Sequence, residues 1–509
     1  MHVPVPSLHF LLGEAGLLLY WVLPYSRRYL PLATCALAII CFYLYNLNGV
    51  GMMSTDEPRY SAIAQAMART GDWVTPYLWG SPWFEKPPLL YWMSAAFFAV
   101  GFPAELAARL PVALLSLAFL AGAAWLVARE FGVSAATVSI GLLATSAGWV
   151  AYSNFCLTDL PMAVFFSSAL LLALPLLRDT PDSRGLPWRL AGVGACLGTA
   201  VLAKGLVPLV LAVPLAWYLR RWWREWVWGA AAFLLVAGPW YVAIYLRQGM
   251  PFIREFFFKH HFERLYSNSL QHVQPWYYYV PVLLAALFPW TPLLLLFVGR
   301  RAEPWDKRRH FLLATLVFGF VFFSISVNKL PGYLLPLLPA LLVLLGAEFE
   351  LQSFAELGRK WLVVPAVLIA LIPLIAKGLP DALAAGRISA FHLGHLGPTS
   401  IFYVAAPLAA VWFGRRSWLG VLLVLCVVSG GILLKATAYP VLDQRVSARG
   451  LWKELQARHL TVCDAGVNRD WAYGLSFYRG SELPVCGHGV TYDRELRAKG
   501  RERPKLEAP

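Results

Sequence analysis

The fold is decided by long apolar runs, of which the clearest lies at residues 107–128 and has the sequence AARLPVALLSLAFLAGAAWLVA. A helix needs about 20 consecutive apolar residues to cross the hydrocarbon core of a bilayer, and this run carries a single charge, on Arg109. Similar runs fill most of the chain, which has 509 residues, 59% of them hydrophobic and 14% charged. Because soluble domains carry roughly 25% charged residues, the composition predicts a polytopic membrane protein.

Further apolar runs predict the remaining spans. They are residues 29–50, 133–153, 160–177, 190–203 with 206–219, 227–246, 278–298, 311–327, 333–345, 361–376, 401–413 and 418–434. The shorter aromatic run 87–101 is interpreted as an interfacial helix, and the run 8–25 as either an extra span or an interfacial segment. About thirteen spans after Arg28 follow from this pattern.

The basic residues indicate how the chain is oriented. The sequence has 43 Lys and Arg against 28 Asp and Glu, and the basic loops recur at every second connection. Such loops face the cytoplasm, so the loops at 54–86, 154–159, 247–274 and 328–331 and the tail after 436 are predicted to face the other side. Basic loops of this kind anchor a membrane protein rather than track a phosphate backbone, which excludes a nucleic-acid partner.

The sequence divides into an N-terminal apolar segment at 1–28, a transmembrane domain at 29–436 and a small soluble α/β domain at 437–509. In the tail, the patterns predict helices at 446–458 and 471–478 and strands at 461–464 and 483–486. The charged end beyond Arg494 is predicted to be disordered. Cys463 and Cys486 both lie in this outward-facing part, where a disulfide between them is expected.

The first outer loop opens with Asp56, Glu57 and Arg59 directly after a span. Ionisable groups at the edge of a bilayer cost free energy unless they are paired or solvated, so this cluster suggests a functional site. The hydroxyl residues before Asp56 are expected to cap a helix that begins near Pro58. An acid at that position also simply stabilises the helix, and the two interpretations of Asp56 carry similar weight.

Glu85 and Lys86 precede Pro87 and Pro88, at the start of the aromatic run. An ammonium group beside a helix N-terminus suits a phosphate. The alternative is an interfacial Glu–Lys ion pair, which has little effect on stability when exposed. For Glu85 and Lys86 taken alone, this alternative is favoured.

Three more groups lie in outward-facing loops: Asp159, then His261 with Arg264, then Lys329 with Tyr333. Each has an ordinary explanation. Asp159 can cap a helix, His261 and Arg264 can belong to a solvated charged face, and Lys329 and Tyr333 can be a snorkelling cation and an interfacial phenol. Together with the first loop, they suit an anionic phosphate ligand and proton transfer at the membrane surface.

Two functions from other classes stay open. A transporter or lipid flippase would place ionisable residues on broken helices near mid-membrane, whereas here they cluster at one face and no internal repeat is evident. A non-enzymatic scaffold of the cell envelope would use the tail to bind a protein partner and would tolerate changes in the outer loops.

Several motifs are shared with a known family. They are Asp56-Glu57-x-Arg59-Tyr60, Phe84-Glu85-Lys86-Pro87-Pro88-Leu89-x-Tyr91-Trp92, Ala108-Arg109-Leu110-Pro111, Thr158-Asp159, Lys204-Gly205, His261-x-x-Arg264, Lys329-Leu330-x-x-Tyr333 and, in the tail, Gly474-Leu475-Ser476-Phe477-Tyr478. These motifs resemble the ArnT-like (4-amino-4-deoxy-L-arabinose transferase) glycosyltransferases, which are grouped with the protein O-mannosyltransferases. The resemblance extends over nearly the whole chain after Arg28.

The resemblance implies a GT-C type α-helical fold in the bacterial inner membrane. It implies a sugar donor carried on polyprenyl (undecaprenyl) phosphate, an envelope acceptor such as lipid A or another glycolipid or glycan, transfer on the periplasmic face and no nucleotide cofactor. Asp56 is implied as the base and Asp159 as a second catalytic acid, while Arg59, Lys86 and Tyr333 are implied to hold the lipid phosphate.

The remaining implied roles concern the cavity and a metal ion. The residues implied to line the substrate cavity are Glu57, Tyr60, Lys204, Arg264 and Lys329. Glu85 and His261 match the family's metal-contacting pair, which implies a divalent ion, zinc or magnesium.

Overall fold

The described part of the chain is a bundle of apolar helices followed by a small α/β unit. The computed structural model describes residues 30–507 except 179, 181–184, 264–272, 298–304, 357–359, 387, 393–396, 416–417, 488–491, 499–500 and 502. The segment 1–28 and its apolar run 8–25 therefore lie outside the described residues.

Among the described residues, the first half of the chain contains twelve α-helices and one small hairpin. They are α1 Leu30–Leu44, α2 Asp56–Thr70, β1 Tyr77–Leu78, β2 Ser81–Pro82, α3 Leu89–Ala99, α4 Ala104–Phe131, α5 Val133–Thr145, α6 Ala147–Tyr152, α7 Asp159–Ala173, α8 Leu186–Lys204, α9 Val207–Leu211, α10 Val213–Tyr218, α11 Trp226–Gln248 and α12 Met250–Ile253. A π-helical segment, Arg254–Glu263, follows α12.

The second half supplies the remaining elements. They are α13 Tyr279–Ala286, a 3₁₀ segment Thr291–Phe297, α14 Lys307–Ile325, a 3₁₀ segment Pro331–Leu337, α15 Leu338–Glu356, α16 Lys360–Ala370, α17 Ile372–Ala385, α18 Pro398–Phe413, α19 Leu419–Val446, α20 Arg449–Ala457, β3 Val462–Asp464, α21 Arg469–Arg479, β4 Arg494–Arg497 and β5 Lys505–Glu507.

The number of spans differs from the prediction. Among the described residues, seven helices are long and apolar enough to cross a membrane, or up to nine if each bent helix pair is one span. The predicted number of about thirteen is therefore not confirmed. Several predicted runs form shorter helices: α5 ends at Thr145 and α6 begins at Ala147, and the run 206–219 divides into α9 and α10.

Prolines account for the bends in two predicted spans. The segments Trp276–Ala286 and Thr291–Phe297 meet at 107°, and the chain between them contains Pro289. The segments Trp361–Ala370 and Ile372–Ala385 meet at 50°, with Pro373 in the first turn of the second. Proline lacks an N–H donor and its ring blocks the preceding turn, so an apolar run that sequence alone treats as one span bends there.

Helix α2 carries the first outer-loop motif and packs against α3 and α21. It begins at Asp56, before the predicted start near Pro58, and within the described chain Thr55 forms no side-chain cap bond. The predicted cap is therefore wrong. Pro58 fits inside the first turn because N–H groups there have no helical acceptor to lose.

Helix α19 runs without interruption to Val446, across the predicted boundary between residues 436 and 437, and the division into domains stays a prediction. Strand β4 is the centre of its sheet, parallel to β3 and antiparallel to β5. Helices α20 and α21 cover a core that contains Ala448, Leu451, Leu455, Trp471, Leu475 and Leu496.

Two predictions for the tail are wrong. The end beyond Arg494 is predicted to be disordered, yet it contains β4 and β5. These strands form because Leu496 is buried in the core of the soluble unit and Leu506 packs against that core. Charged residues alternate with these two leucines along the strands. The predicted strand at 483–486 forms only a bridge from Val485 to Asp464 among the described residues. The expected disulfide between Cys463 and Cys486 is present, with the two Cα atoms 5.0 Å apart.

Candidate functional site

The centre of the candidate site is the Arg59 side chain, which joins two carboxylates from separate motifs. Its terminal nitrogens donate to Asp56 Oδ1 and, at 3.3 Å, to Glu85 Oε2. Lys86 Nζ donates to the other oxygen of Glu85 at 3.0 Å. The structure thus brings four of the predicted residues into one chain of alternating charges, which we call the ionic cluster: Asp56, Arg59, Glu85 and Lys86.

Local sequence explains how the cluster is presented. Asp56 and Arg59 are three residues apart on α2, a spacing at which helical side chains are neighbours, and Arg59 Nε also donates to Thr55 O at 3.0 Å. Glu85 and Lys86 stand in the non-helical segment before α3, because Pro87 and Pro88 disfavour helical geometry in the residues before them.

The cluster is half-open to solvent. The side chain of Asp56 is 35% exposed, against 14% for Arg59 and 14% for Glu85, and Lys86 is buried. Burial alone lowers the pKa of Arg59, but the nearby carboxylates of Glu85 and Asp56 outweigh it and hold that pKa above its ordinary value. The cluster therefore keeps a permanent positive charge beside the exposed Asp56.

A second group lies around Asp159, the first residue of α7. Lys204 Nζ, at the end of α8, bonds to Asp159 Oδ1 at 2.5 Å and lies 4.6 Å from the centre of the Tyr333 ring. Gly332 allows this close packing, because a Cβ atom there would collide with the Asp159 carboxylate and with Tyr152. The structure thus brings Asp159, Lys204 and Tyr333 together in a second group of predicted site residues.

Glu57 does not line a cavity, contrary to prediction. Its carboxylate receives two bonds from Arg109, at 2.7 and 2.8 Å, and two from the N–H groups of Met53 and Cys156, at 3.0 and 3.1 Å. It is 1% exposed, and Arg109 is 0% exposed. A buried acid with every lone-pair direction occupied is structural.

Tyr60 is also placed differently from the prediction. It is 2% exposed and its ring packs 5.9 Å from that of Tyr91 in the main core. The next turn of α2 thus faces the protein interior rather than the proposed substrate.

Lys329 borders a cleft away from the ionic cluster. Its ammonium group donates to the carbonyl oxygens of Gln274, at 3.0 Å, and Ser326. The cleft has a volume of about 490 Å³ and its walls include Trp276 and Val280. The role of Lys329 in lining the substrate cavity stays a prediction.

The metal-binding prediction rests on residues that the structure describes only in part. The side chain of His261 lies outside the described residues. So does Arg264, which is predicted to line the substrate cavity. Within the described residues, no three His, Cys, Asp or Glu side chains are grouped as a metal site. Both oxygens of Glu85 face cations, Arg59 and Lys86, so the described donor set does not by itself fit a divalent ion.

Sequence reasoning missed the structural role of Arg109 and of Lys435, although a signal was present. Each is a cation within an apolar run, and such a residue needs partners inside the protein. Lys435 is 2% exposed and donates to the carbonyls of Phe42 and Tyr45, at 2.8 and 3.0 Å. Tyr473 of α21 was also missed; its ring lies 5.3 Å from the Arg59 guanidinium carbon, and no local pattern indicates that contact.

Comparisons with known proteins agree with this architecture. The family model described as dolichyl-phosphate-mannose-protein mannosyltransferase matches residues 29–266. The undecaprenyl phosphate-alpha-4-amino-4-deoxy-L-arabinose arabinosyl transferase of Pseudomonas aeruginosa is 36% identical over 339 residues, covering 63% of this chain and 60% of the relative. The enzyme of the same name from Serratia proteamaculans is 32% identical over 368 residues, covering 69% and 64%. The chain thus spans about three fifths of the length of these curated relatives.

A solved structure shows the fold. The crystal structure of ArnT from Cupriavidus metallidurans bound to undecaprenyl phosphate matches with a TM-score of 0.72 at 24% identity, over 93% of this chain and 87% of that one. The fold and the outer-loop cluster therefore define a multi-pass helical membrane protein of the GT-C type. More particularly, its sequence is similar to those of the undecaprenyl phosphate-alpha-4-amino-4-deoxy-L-arabinose arabinosyl transferases over about three fifths of their length, in line with the family that its motifs resemble.

Proposed function

We propose that this chain is a membrane glycosyltransferase that moves a sugar from a polyprenyl-phosphate donor to an acceptor in the cell envelope. The observation that carries the proposal is the ionic cluster, in which Arg59 links the exposed Asp56 to Glu85 and thereby to Lys86. Transfer from a lipid phosphate needs a base for the acceptor and positive charge for the leaving group, and the cluster holds both.

In the proposed reaction, Asp56 accepts the proton of the acceptor group as that group attacks the anomeric carbon. The bond between this carbon and the phosphate oxygen breaks, and its electron pair stays on the polyprenyl phosphate. Arg59 and Lys86 stabilise the charge that develops there, with Tyr333 as a further donor. Asp159 serves as a second acid, held by Lys204.

The names of the relatives support this donor class. The Pseudomonas relative is named for transfer from undecaprenyl phosphate, and the Cupriavidus structure was solved with undecaprenyl phosphate bound. We propose the same lipid phosphate as the carrier here, with lipid A or another glycolipid or glycan as the acceptor. The basic loops favour a site on the periplasmic face of the inner membrane.

A divalent ion is a separate part of the proposal. The family resemblance implies Glu85 and His261 as its ligands, although both oxygens of Glu85 face cations in the structure. No step above depends on it. Zinc and magnesium content of purified wild-type protein and of Glu85→Gln, measured by plasma mass spectrometry, decides whether Glu85 binds an ion.

The test is complementation of a deletion strain, followed by mass spectrometry of its lipid-linked sugars. The deletion should accumulate the donor, which identifies the sugar, and the wild-type gene should clear it. We expect Asp56→Asn to leave the donor uncleared although the protein is inserted in the membrane, because general-base catalysis contributes roughly 10²–10⁴-fold. Glu482→Gln is the matched control, an exposed acid of the soluble unit.

Two results would count against the proposal, and they differ in meaning. If no polyprenyl-phosphate sugar accumulates in the deletion strain, the donor class is wrong. If Asp56→Asn clears the donor as fast as Glu482→Gln, the function can stand but Asp56 is not the base.

A further inference from the structure

The soluble unit reaches into the ionic cluster through one aromatic side chain. The Tyr473 ring of α21 lies 5.3 Å from the Arg59 guanidinium carbon, and the Trp83 ring lies 5.4 Å from the same carbon. Asp470 lies one helical turn before Tyr473. Burial raises the pKa of the Asp470 carboxyl, although the Arg501 cation, 3.8 Å away, opposes the rise. This face of α21 therefore carries Tyr473 against Arg59.

A second aromatic residue supports Tyr473 from the loop side. Trp79 packs with its ring centre 5.5 Å from that of Tyr473. It occupies the turn between β1 and β2, where Trp79 and Gly80 have φ angles of 49° and 89°. A two-residue hairpin turn in which both residues have positive φ angles is usually formed by Asn, Asp or Gly. A bulky indole in this position is unusual, and here it contacts Tyr473.

Polar contacts hold α21 on the chain segment that leads into the cluster. The Tyr478 hydroxyl accepts the Met52 N–H at 3.0 Å and donates to Glu105 at 2.8 Å. Gly51 donates its N–H to Asp443 at 2.7 Å, and a Cβ atom at Gly51 would lie 2.5 Å from the Tyr478 oxygen. Only glycine permits this approach. The position of α21 is therefore tied to the residues just before Asp56.

We propose that Tyr473 is a positioning residue for Arg59, so that the C-terminal unit completes the candidate site. The ring covers the guanidinium group and excludes water from it. Less water strengthens the ion pairs of Arg59 with Asp56 and Glu85, because charges attract more strongly at low dielectric, and the ring face itself attracts the cation. The contact with Arg59 is made by the face of the Tyr473 ring. The expected effect of this contact on catalysis rests on the proposed function.

The test compares Tyr473→Ala, which removes the ring, with Tyr473→Phe, which keeps it. The first measurement is the rate at which phenylglyoxal modifies Arg59 in the purified full-length protein, followed by peptide mass spectrometry. We expect Tyr473→Ala to raise that rate several-fold, because the Arg59 side chain is 14% exposed with the ring in place. Tyr473→Phe should stay within about twofold of wild type.

The second measurement is donor turnover by the same proteins. Loss of a partly desolvated cation–ring contact predicts a fall of roughly tenfold in kcat for Tyr473→Ala, with Tyr473→Phe restoring it. Because Tyr473 is only half-buried, the alanine variant should fold. If it does not, Tyr473→Leu removes the aromatic face while keeping apolar bulk and gives the same comparison.

The outcomes separate this inference from the proposed function. Unchanged Arg59 labelling in Tyr473→Ala overturns the positioning role, even if turnover falls. Equal loss of turnover in the alanine and phenylalanine variants also overturns it, because the ring is then not the active feature. If the wild-type protein turns over no polyprenyl-phosphate sugar, the proposed function fails, while a rise in labelling still supports the contact.

Discussion

Asp56 and Glu57 are neighbours in the sequence with the same functional group, yet the fold uses them in opposite ways. The Asp56 side chain is 35% exposed and pairs with Arg59 in the ionic cluster. Glu57 is 1% exposed and is enclosed by Arg109 and two backbone N–H groups. Successive residues on a helix point about 100° apart, so one step along α2 separates an available acid from a structural one.

The buried pair organises the chain that leads into α2. Besides Glu57, Arg109 donates to the carbonyls of Leu47, Val50 and Gly51, at 2.7, 2.6 and 2.9 Å. These bonds satisfy carbonyls that would otherwise be buried without a donor. The Glu57–Arg109 pair thus fixes the position of the adjacent acid, Asp56.

The largest effect is expected for Glu57→Ala. It leaves the Arg109 charge buried without its acid, which costs about 3–5 kcal/mol. We expect little monodisperse protein in detergent and a sharply lowered melting temperature, whereas Asp56→Asn should change the melting temperature by no more than about 2 °C. If the two variants melt alike, the distinction between the two acids is wrong.

Arg109→Lys should be the next most severe change. Lysine keeps the charge that pairs with Glu57 but lacks the planar fork, so it cannot serve both carboxylate oxygens and three carbonyls. Each buried acceptor left without a donor costs about 1–3 kcal/mol. Thermal unfolding in the same detergent measures the loss, and wild-type stability of Arg109→Lys would show that the three carbonyl bonds contribute little.

In the ionic cluster, Lys86→Ala should lower stability less than Glu57→Ala, because Glu85 keeps its hydrogen bond from Arg59, and it should weaken ligand binding. A charge-assisted hydrogen bond to phosphate contributes about 1.5–3 kcal/mol, which predicts at least a tenfold weaker Kd for undecaprenyl phosphate. Lys86→Arg, which keeps the positive charge, is the control. Native mass spectrometry with undecaprenyl phosphate measures the two affinities, and equal values for Lys86→Ala and wild type would remove Lys86 from the phosphate site.

The smallest effect is expected at a fully exposed acid. Asp493 in the tail accepts bonds from the Thr461 N–H, at 2.6 Å, and hydroxyl, at 2.7 Å, and these bonds lower its pKa below 3.8. Since the folded pKa is the lower one, the stabilisation is present at neutral pH and is lost as the pH falls through the folded value. Asp493→Asn should therefore lower the melting temperature of the tail slightly at pH 7, and this effect should shrink as the pH falls below about 3.8, as followed by Trp fluorescence. A larger effect at pH 3 than at pH 7 would contradict the assignment.

Much of the membrane architecture was predictable because hydropathy is a local property of the chain. The predicted interfacial run at 87–101 corresponds to α3, and the run 227–246 corresponds to α11. The predicted number of about thirteen spans is not confirmed among the described residues, where prolines bend or divide apolar runs that look continuous in the sequence. In the tail, strand β4 depends on β3, which is distant in sequence, and a charged composition conceals both β4 and β5.

By itself, the sequence determined the class of protein and the set of charged residues from which a site can be built, and it predicted which loops face outward. Asp56, Arg59, Glu85 and Lys86 were all identified from motifs and spacing. Only the tertiary structure decided that Glu57 is structural, that Arg59 joins the two motifs and that Tyr473 comes from the far end of the chain to cover it. The reason is physical: hydropathy and spacing depend on near neighbours, whereas the burial and pairing of a charge depend on side chains brought together across the fold.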